Sequence, residues 1–542
     1  MAYRCLSVLA LSLLMAAPTW AQPPHPASPT LEARLRSVHD LLEKFDYVVG
    51  LIGQEAFAEQ VREIVKSLTV EGKGLEGLDP KQPLGAYAYL EKDIESSPFI
   101  VMIPIADREQ FLTALKERLD ITAEKADDGM YKVPVPQIDQ VYLRFLHGYV
   151  YVSPNATSLQ PKTLIAPKDF FARDDGAVAS LIFHIDRVPH DLKKFALGQL
   201  ELAAAEARKE ELGTGSPAEK HVKNLVLDLL FTAAKSVVDD GQELAAKLFI
   251  DPKTDTISAE LSFSAKAGSP TAQYIAAVGG QLSRPVGIVA AAGDPVASGN
   301  VKVAIPDYLK KEYLAALEEF FKQILDEIPA DQQELIKQLI AVVRPTLQGG
   351  ELDAAVGLSG PNERGQYRLI SALAVKEGKK IEKFVQEIVQ QYGAFIDNAV
   401  TVKLNLETIG DFTLHRIDIK EMDEKFEKTF GTKSLWLATA NDCLALSIEP
   451  EGKMLRAALR AKPAKAPLAQ VDVALAKLIQ SVDSELKPEE VQKLIRQTFG
   501  DGPVGEKDRL TLGISGGEKL TAKFQVKGKG IKVFAGLEAF KK

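Results

Sequence analysis

Cysteine is almost absent from this sequence of 542 residues, which contains only Cys5 and Cys443. We expect Cys5 to be removed with an N-terminal signal peptide, which would leave Cys443 without a partner for an intramolecular disulfide. An exported chain without disulfides depends on its hydrophobic core, and a chain of this length buries enough surface for that. Such avoidance of cysteine is more typical of a bacterial envelope protein than of a eukaryotic secreted one.

Long apolar runs are equally scarce. The run at residues 5–17 follows Arg4 and is shorter than the roughly 20 residues that a membrane-spanning helix needs. This run and the small residues after it predict a signal peptide over residues 1–21, cleaved after Ala21. We therefore expect a secreted or periplasmic chain that has no transmembrane segment when mature and begins with a proline-rich linker at residues 22–30.

The sequence also lacks a strong excess of either charge. Its 66 Lys and Arg residues against 74 Asp and Glu residues give a net charge of −8. Mild acidity argues against non-specific binding to nucleic acid or to anionic lipid. The length suits two or three domains.

What the sequence does contain is an internal duplication, in which four strand-rich blocks recur in the same order. The paired blocks are residues 85–105 with 351–375, 141–153 with 435–447, 180–192 with 467–478, and 248–263 with 512–526. In these alignments Asp186 falls on Asp472, and one turn of the last block is a residue shorter in the second copy. Strands occur in adjacent pairs instead of alternating with helices, which favours an α+β fold with antiparallel sheet. We predict two tandem duplicated modules of antiparallel sheet with packed long helices.

The domain organisation follows from these blocks. The predicted units are an N-terminal helical segment and loop at residues 31–83, a first module at 84–283, junction strands and a long helix at 284–349, and a second module at 350–542. A helical hairpin at residues 191–238 distinguishes the first module, because the second copy carries only a shorter version.

Local patterns predict the main elements. Apolar periodicity predicts helix over residues 31–68, and over 306–343 with a break at Pro329. Apolar residues at 286–303 predict additional strands at the junction. The turn pairs His147-Gly148 and Asn441-Asp442 each predict a β-hairpin.

Three short patterns match enzyme or nucleotide-binding motifs. Residues 513–517 match G-x-S-x-G, but a strand is predicted beyond them instead of the helix that a nucleophile elbow requires, so we expect a hairpin turn. Residues 72–77 match G-x-G-x-x-G but follow a predicted helix instead of a strand, which favours a loop. Residues 484–487 match S-x-x-K without its companion motifs.

His184, Asp186 and His190 form a compact cluster that suggests a metal site or an acid–base pair. On a strand, His184 and Asp186 would share one face. Catalytic zinc needs three protein ligands and an open position, and the aligned second copy keeps only Asp472, so a turn or helix-cap role for the aspartate is the favoured interpretation.

Carboxylates also cluster in three Asp-Asp-Gly triplets, at residues 127–129, 174–176 and 239–241. Asp tolerates tight turns and Gly supplies positive φ, so all three are predicted to be strand-entry turns. They lack the spaced ligands of a calcium-binding loop.

Cys443, together with His415 and Asp442, would provide the groups of a thiol triad. Cys443 instead occupies an alternating strand position that aligns with Tyr149, which favours packing. Aromatic residues are also predicted to pack on sheet faces, with an apolar ligand groove as the alternative; these residues are Tyr142, Phe145, Tyr149, Tyr151 and Trp436. The sequence therefore assigns no catalytic, cofactor-binding or metal-ligating residue.

The repeated strand–helix–strand units resemble uncharacterised secreted bacterial proteins of the domain-of-unknown-function kind. The resemblance implies an envelope location and transfers no functional residues. We expect a non-enzymatic binding or scaffold protein of the bacterial envelope, with a protein partner bound at residues 191–238, because no catalytic pattern recurs in both copies. The alternatives are a periplasmic carrier of a lipid or other apolar ligand, and a hydrolase of envelope polymer that uses His184 and Asp186.

Overall fold

The computed structural model describes residues 28–52, 76–135, 140–173, 175–211, 217–329, 333–396, 400–420, 422–481, 488–500 and 504–540. The predicted signal peptide, most of the 22–30 linker and the S-x-x-K match lie outside these residues, as does most of the G-x-G-x-x-G match.

The described strands are short to medium in length and occur along the whole chain. They are β1 (Leu31–Leu35), β2 (Leu84–Ala88), β3 (Phe99–Pro104), β4 (Glu124–Lys125), β5 (Tyr131–Pro134), β6 (Gln140–Leu146), β7 (Tyr149–Ser153), β8 (Ala179–His184), β9 (Gly241–Asp251), β10 (Thr256–Ala265), β11 (Leu282–Ser283), β12 (Ala297–Ala304), β13 (Glu351–Ser359), β14 (Arg368–Ala374), β15 (Val400–Ile409), β16 (Phe412–Ile419), β17 (Ser434–Thr439), β18 (Cys443–Ile448), β19 (Ala464–Lys465), β20 (Ala469–Ala474), β21 (Arg509–Ser515) and β22 (Leu520–Lys527).

The described helices range from single turns to long amphipathic rods. They are α1 (Val38–Ile52), α2 (Arg108–Leu119), α3 (Pro167–Phe170), α4 (His190–Glu211), α5 (Pro217–Asp240), α6 (Pro270–Ala277), α7 (Arg284–Ala291), α8 (Lys310–Glu327), α9 (Gln333–Gln348), α10 (Gly378–Ile396), α11 (Glu424–Phe430), α12 (Lys453–Ala458), α13 (Leu475–Ser481), α14 (Pro488–Phe499) and α15 (Gly528–Phe540).

All strands except the β11–β19 pair belong to one antiparallel sheet of 20 strands. From one edge to the centre the order is β4-β5-β6-β7-β3-β2-β1-β8-β9-β10. From the centre to the other edge it is β22-β21-β20-β12-β13-β14-β18-β17-β16-β15. The central contact is the pairing of β10 with β22, from Thr256↔Lys527 to Phe263↔Leu520. The predicted α+β class with antiparallel sheet is therefore confirmed.

The predicted hairpins form at their predicted turn residues. His147 and Gly148 both have positive φ between β6 and β7, which matches the twist of a two-residue hairpin. The chain also turns between β17 and β18 at the predicted position. Asp107 caps α2 by accepting a hydrogen bond from the backbone N–H of Gln110, and α8 ends just before Pro329.

The helix predicted for residues 31–68 does not begin at residue 31, so this prediction was wrong for its first residues. Residues 31–35 form strand β1, which lies between β2 and β8, and helix begins only at Val38. Residues 31–35 do alternate apolar and polar as in a strand, but the run is only five residues long, it leads directly into the helical pattern of α1, and its pairing partners are distant in sequence. Strand β1 is therefore part of the sheet that was predicted to start at residue 84.

The prediction of strands at residues 286–303 was wrong for the first part of that range. Residues 284–291 form helix α7, because Ser283 caps it by accepting from the Val286 N–H and Pro285 occupies the first turn, where its missing N–H costs nothing. Strand β12 follows and pairs with β13 and β20. The junction strand therefore lies inside the sheet of the chain's second half.

Two predicted turns also differ from expectation. Asp239 and Asp240 end helix α5, and Gly241 begins β9 directly, so this triplet is not a turn. The last paired residues are Asp251 and Thr256 in the β9–β10 hairpin but Ser515 and Thr521 in the β21–β22 hairpin, so the second turn is one residue longer in register instead of shorter. Asp127–Gly129 does form a turn before β5, with positive φ at Asp128 and Gly129, whereas Asp174 lies outside the described residues.

Helices cover the outer parts of the sheet on both sides. Phe111 and Leu115 of α2 pack over Val150 on one face, while Phe170 of α3 packs with Tyr87 and other aromatic residues on the opposite face. In the second half, Ile288 of α7 and Leu455 of α12 belong to the largest buried cluster. Tyr149, Tyr151 and Trp436 are buried, as their predicted packing role requires.

Replacing a core leucine should separate packing from surface effects. We expect Leu455→Ala, at a side chain with no exposed surface, to lower the free energy of unfolding by about 2–5 kcal/mol because it leaves a cavity. The matched variant Leu282→Ala, at a side chain 62% exposed, should change it by less than about 0.5 kcal/mol. Denaturant unfolding measures both, and equal losses would contradict the described core.

Candidate functional site: an apolar sheet face

One face of the central sheet is apolar across eleven neighbouring strands. Alternate residues point to the same side of a strand, and the pairing register places the apolar set of each strand opposite that of the next. One row of paired residues runs Ala179, Leu248, Ala259, Phe524, Leu512, Val471, Gly299, Val356, Ser371, Leu446 and Leu437. We call the surface formed by this row and the neighbouring rows the apolar face. At about 4.8 Å per strand, it extends roughly 48 Å across the sheet.

The opposite side of the same central strands is polar. It presents residues such as Lys247, Glu260, Lys523, Gln470 and Asn300, which alternate with the apolar set. A sheet with one polar and one apolar face normally packs its apolar face against other elements.

The helices of the described residues cover the apolar face only around its margins. Helix α2 lies over it in the first half of the sheet, and α10 lies over β15 and β17 in the second half. At one end of the central strands, Val237 of α5 and Ile275 of α6 pack with Phe263 and neighbouring apolar side chains. The middle of the face is left open between these elements.

The open area retains large apolar side chains at the surface. Leu261 and Leu512 are each 50% exposed and Val471 is 49% exposed. The other large apolar residues of the face that stay exposed are Leu181, Val303, Leu352, Val356, Leu373, Ile514 and Phe524. Contiguous apolar patches of this kind typically mark a binding surface.

Two adjoining grooves run along the open area. The first, of about 610 Å³, is lined by β12, β13, β14, β17, β18 and β20, with small residues such as Gly299 and Ala354 beside larger ones such as Leu446. The second, of about 520 Å³, is lined by β8, β9, β10, β21 and β22. The grooves meet where Val471 pairs with Leu512. Both volumes are within the range of small-molecule binding sites.

A hydrogen-bonded chain of polar side chains borders the first groove and attaches α10. The Asn405 N–H donates to Nδ1 of His415 (3.1 Å), and the ring contacts the Thr439 hydroxyl through Nε2 (3.2 Å). The Thr439 hydroxyl donates to Glu382 of α10 (2.6 Å), which also accepts from Lys379 (2.7 Å). Because Nδ1 accepts a hydrogen bond, His415 has to be neutral in this arrangement.

Burial controls the titration of this histidine. Burial lowers the pKa of His415; the Glu382 carboxylate opposes this and the Lys379 ammonium reinforces it, so the pKa lies below its ordinary value. The neutral ring is therefore the form that the fold stabilises.

The predicted His184 cluster does not assemble. Strand β8 ends at His184, so Asp186 lies in the following 3₁₀ turn and His190 begins α4. His184 instead contacts Glu32 through Nε2 (3.0 Å) and lies 3.9 Å from Glu243. Burial raises the pKa of Glu32, but the hydrogen bond with His184 and the charge of Arg34 outweigh it and lower that pKa overall.

Asp472 does not have the turn or cap role predicted for it. It lies within β20, opposite Thr511 of β21. Its carboxylate accepts from Arg509 (2.7 Å) and from the Thr511 hydroxyl (2.8 Å). The alignment of Asp472 with Asp186 therefore joins a strand residue with a turn residue.

The proposed thiol triad is also dispersed. Cys443 is fully buried, and burial raises the pKa of its thiol to about 12. Asp442 pairs with Arg284, and His415 contacts Thr439. A protonated, buried thiol is a packing residue, as predicted.

The remaining motifs have structural explanations. Residues 513–517 leave β21 and enter the hairpin to β22, so Ser515 is not on a strand–turn–helix elbow. Among the described residues, no three His, Cys, Asp or Glu side chains are arranged to hold a metal ion. None of the helices in the described ranges is both long enough and apolar enough to cross a membrane.

The apolar face was missed by sequence reasoning, which favoured packing over a groove. The sequence pattern that could have indicated it is the alternation of small or branched apolar residues with Lys, Glu, Gln and Ser in residues 248–263 and 512–526. Such alternation predicts a half-buried strand, but it does not reveal whether the apolar side is covered.

Acidification should destabilise the fold around His415, because a protonated ring loses the hydrogen bond from the Asn405 N–H and carries a buried charge. A histidine whose folded pKa is depressed contributes stability that is present above its unfolded pKa of about 6.5 and is lost as the pH falls below it. We therefore expect the free energy of unfolding to fall between about pH 7 and pH 5, and His415→Gln to reduce this slope.

The control is His39→Gln, at an exposed position on α1, which should leave the slope unchanged. Denaturant titrations across this pH range give the slopes. A slope that is the same in wild type and His415→Gln would contradict the assignment.

No family model matches the sequence, no curated protein is significantly similar to it, and no solved structure matches its fold. We therefore derive the function from the contacts and burial within this chain.

Proposed function

We propose that this chain is an exported, non-enzymatic binding protein of the bacterial envelope that holds lipid acyl chains along the apolar face. The observation that carries the proposal is the open, grooved middle of that face, where Leu261, Leu512 and Val471 stay half exposed. The signal-peptide pattern at residues 1–21 motivates the envelope location.

The chemistry of the face favours a lipid over a protein segment. By the pairing register, the side chains that the central strands direct to this face are aliphatic or aromatic, apart from Ser371, whereas polar groove-lining residues such as Gln470 and Glu260 alternate with them and point to the other side. Its strands lie inside the sheet, so their backbone groups pair with neighbouring strands on both sides. A protein partner normally makes about one hydrogen bond per 100–200 Å² of interface, whereas an acyl chain needs none.

The available energy is sufficient for binding. Burying a methylene group stabilises by about 0.8 kcal/mol. A chain with about a dozen methylenes in the grooves would gain roughly 10 kcal/mol before the cost of lost motion is subtracted. Reversible binding of a single-chain lipid is therefore within reach.

Charged substitutions on the groove floor test this function. We expect Leu512→Lys and Val471→Lys to weaken binding of a fluorescent polyene fatty acid to delipidated protein by about tenfold or more, because an acyl chain cannot solvate a buried ammonium. The matched control Leu282→Lys, at an exposed leucine outside the apolar face, should bind like wild type.

Equal affinity in all variants would contradict the proposal. A dimer detected by light scattering would also contradict it, if the floor substitutions dissociate the dimer but leave fatty-acid binding unchanged. The face would then be an interface between two copies of the chain.

We also propose that the two halves of the sheet arose by duplication. The strand order supports this: counted from the centre, β10-β9-β8-β1-β2-β3-β7-β6-β5-β4 has the same connectivity as β22-β21-β20-β12-β13-β14-β18-β17-β16-β15. All four aligned sequence blocks fall on corresponding strands in this order. The two halves would then form the apolar face jointly, across β10 and β22.

A second candidate function is protein binding by the α4–α5 hairpin. Its outer surface exposes Phe195 (65%), Leu202 (61%) and Leu230 (62%). Phe195 and Leu202 are seven residues apart and so share one side of α4. Between β20 and β21, the corresponding place in the second half, the described residues form the shorter helices α13 and α14.

Deletion of residues 196–235 tests the hairpin separately. We expect the sheet to stay folded and capture of an envelope protein partner to be lost, because the exposed apolar positions are removed while the bases of α4 and α5 remain. Circular dichroism and affinity capture measure the two effects. Unchanged capture by the folded deletion variant would exclude this role.

A further inference from the structure

A cationic pocket of about 470 Å³ lies where β1 ends and α1 begins. Its lining includes the basic residues Arg34, Arg36, Lys81 and Arg173 and the acidic residues Asp40 and Asp175. We call this cavity the cationic pocket. Such a concentration of positive charge contrasts with the net charge of −8 for the whole chain.

Each acidic group of the pocket faces a lysine. The Asp175 carboxylate lies 2.6 Å from the Lys247 ammonium. Burial raises the pKa of Asp175, but its hydrogen bond with Lys247 outweighs this and lowers the pKa overall. Asp40 lies 3.9 Å from Lys44. The charges of these two carboxylates are therefore offset by lysines outside the lining of the pocket.

The basic side chains of the pocket differ in whether they form ion pairs. Arg34 pairs with Glu32 at 2.5 Å and lies over the ring of Phe170, yet its Nε atom is buried without a hydrogen-bond acceptor. Lys81 and Arg173 are exposed, and in the part of the chain that the structure describes neither forms an ion pair. The buried Nε–H of Arg34 is therefore energetically unfavourable in the absence of an acceptor.

The N-terminus of α1 contributes the positive end of the helix dipole to the cationic pocket, but two of its first backbone N–H groups already donate within the protein. The His39 N–H donates to the Pro80 carbonyl (2.9 Å), and the Asp40 N–H donates to the Ser37 hydroxyl (2.9 Å). The site therefore depends on the side chains of Arg34, Lys81 and Arg173, and the partial positive charge of the helix end supplements them.

We propose that the cationic pocket binds a phosphate group, either free or as the headgroup of a lipid. Guanidinium groups match the geometry of tetrahedral oxyanions. Lys81 and Arg173, which form no ion pair within the described ranges, favour a dianion over a carboxylate. Arg34 lies in one row with Ser180 and Lys247, on the side of the sheet opposite the apolar face, although Ser180 borders both this pocket and the second groove. Phosphate binding here does not depend on the proposed acyl-chain binding.

Calorimetry with sodium phosphate at constant ionic strength tests the site. We expect Lys81→Gln/Arg173→Gln to weaken phosphate binding by about tenfold or more. The control Arg460→Gln/Lys462→Gln removes the same charge at exposed residues elsewhere and should bind like wild type. Affinity should rise from about pH 6 to pH 8, because phosphate becomes a dianion over that range.

A parallel titration with a soluble short-chain phosphatidic acid identifies the source of the phosphate. Tighter binding of this lipid than of inorganic phosphate, lost in the pocket variant, indicates a headgroup site; equal binding of both indicates a site for free phosphate. Equal weakening in the pocket and control variants, or no binding of either ligand by wild type, overturns the proposal. If the double variant melts early, the exposed single variant Arg173→Gln decides the same question.

Discussion

The antiparallel pairing of β10 with β22 is the contact on which the rest of the structure depends. It joins the two halves through eight paired positions, from Thr256↔Lys527 to Phe263↔Leu520, and so turns two ten-stranded sheets into one. Its register also determines how the two faces of the sheet are composed, because a shift by one residue would place the apolar set of β22, including Phe524, on the side where β10 carries its polar residues. The open grooves exist only because the apolar sets of both halves meet in phase across this pair.

Covered and open regions of the sheet follow from where the connecting helices attach. Helix α10 is fixed over the second half by the chain from His415 through Thr439 to Glu382, and α2 is fixed over the first half by apolar contacts such as that of Phe111 with Phe145. Neither reaches the central strands. The middle of the face thus keeps apolar surface exposed, which costs stability, and a lipid chain would recover that energy on binding.

The sequence was sufficient for local structure and insufficient for the site. Hairpins such as β6–β7 were predictable because turn residues act within a few positions, and the break at Pro329 follows from proline's missing N–H. Strand β1 was missed because its apolar–polar alternation lasts only five residues before the helical pattern of α1 begins, and because its partners are distant. Helix α7 was missed because its capping serine and first-turn proline were outweighed by an apolar run. The apolar face depends on register and helix placement across eleven strands, so no single segment encodes it.

The most direct test of the account is native mass spectrometry of the chain purified from an exporting host without detergent, before and after denaturation. We expect a non-covalent complex that releases a lipid on denaturation, and we expect the Leu512→Lys variant to lack that added mass. A wild-type chain that carries no small molecule after gentle purification, and takes up none from added fatty acid, would contradict it.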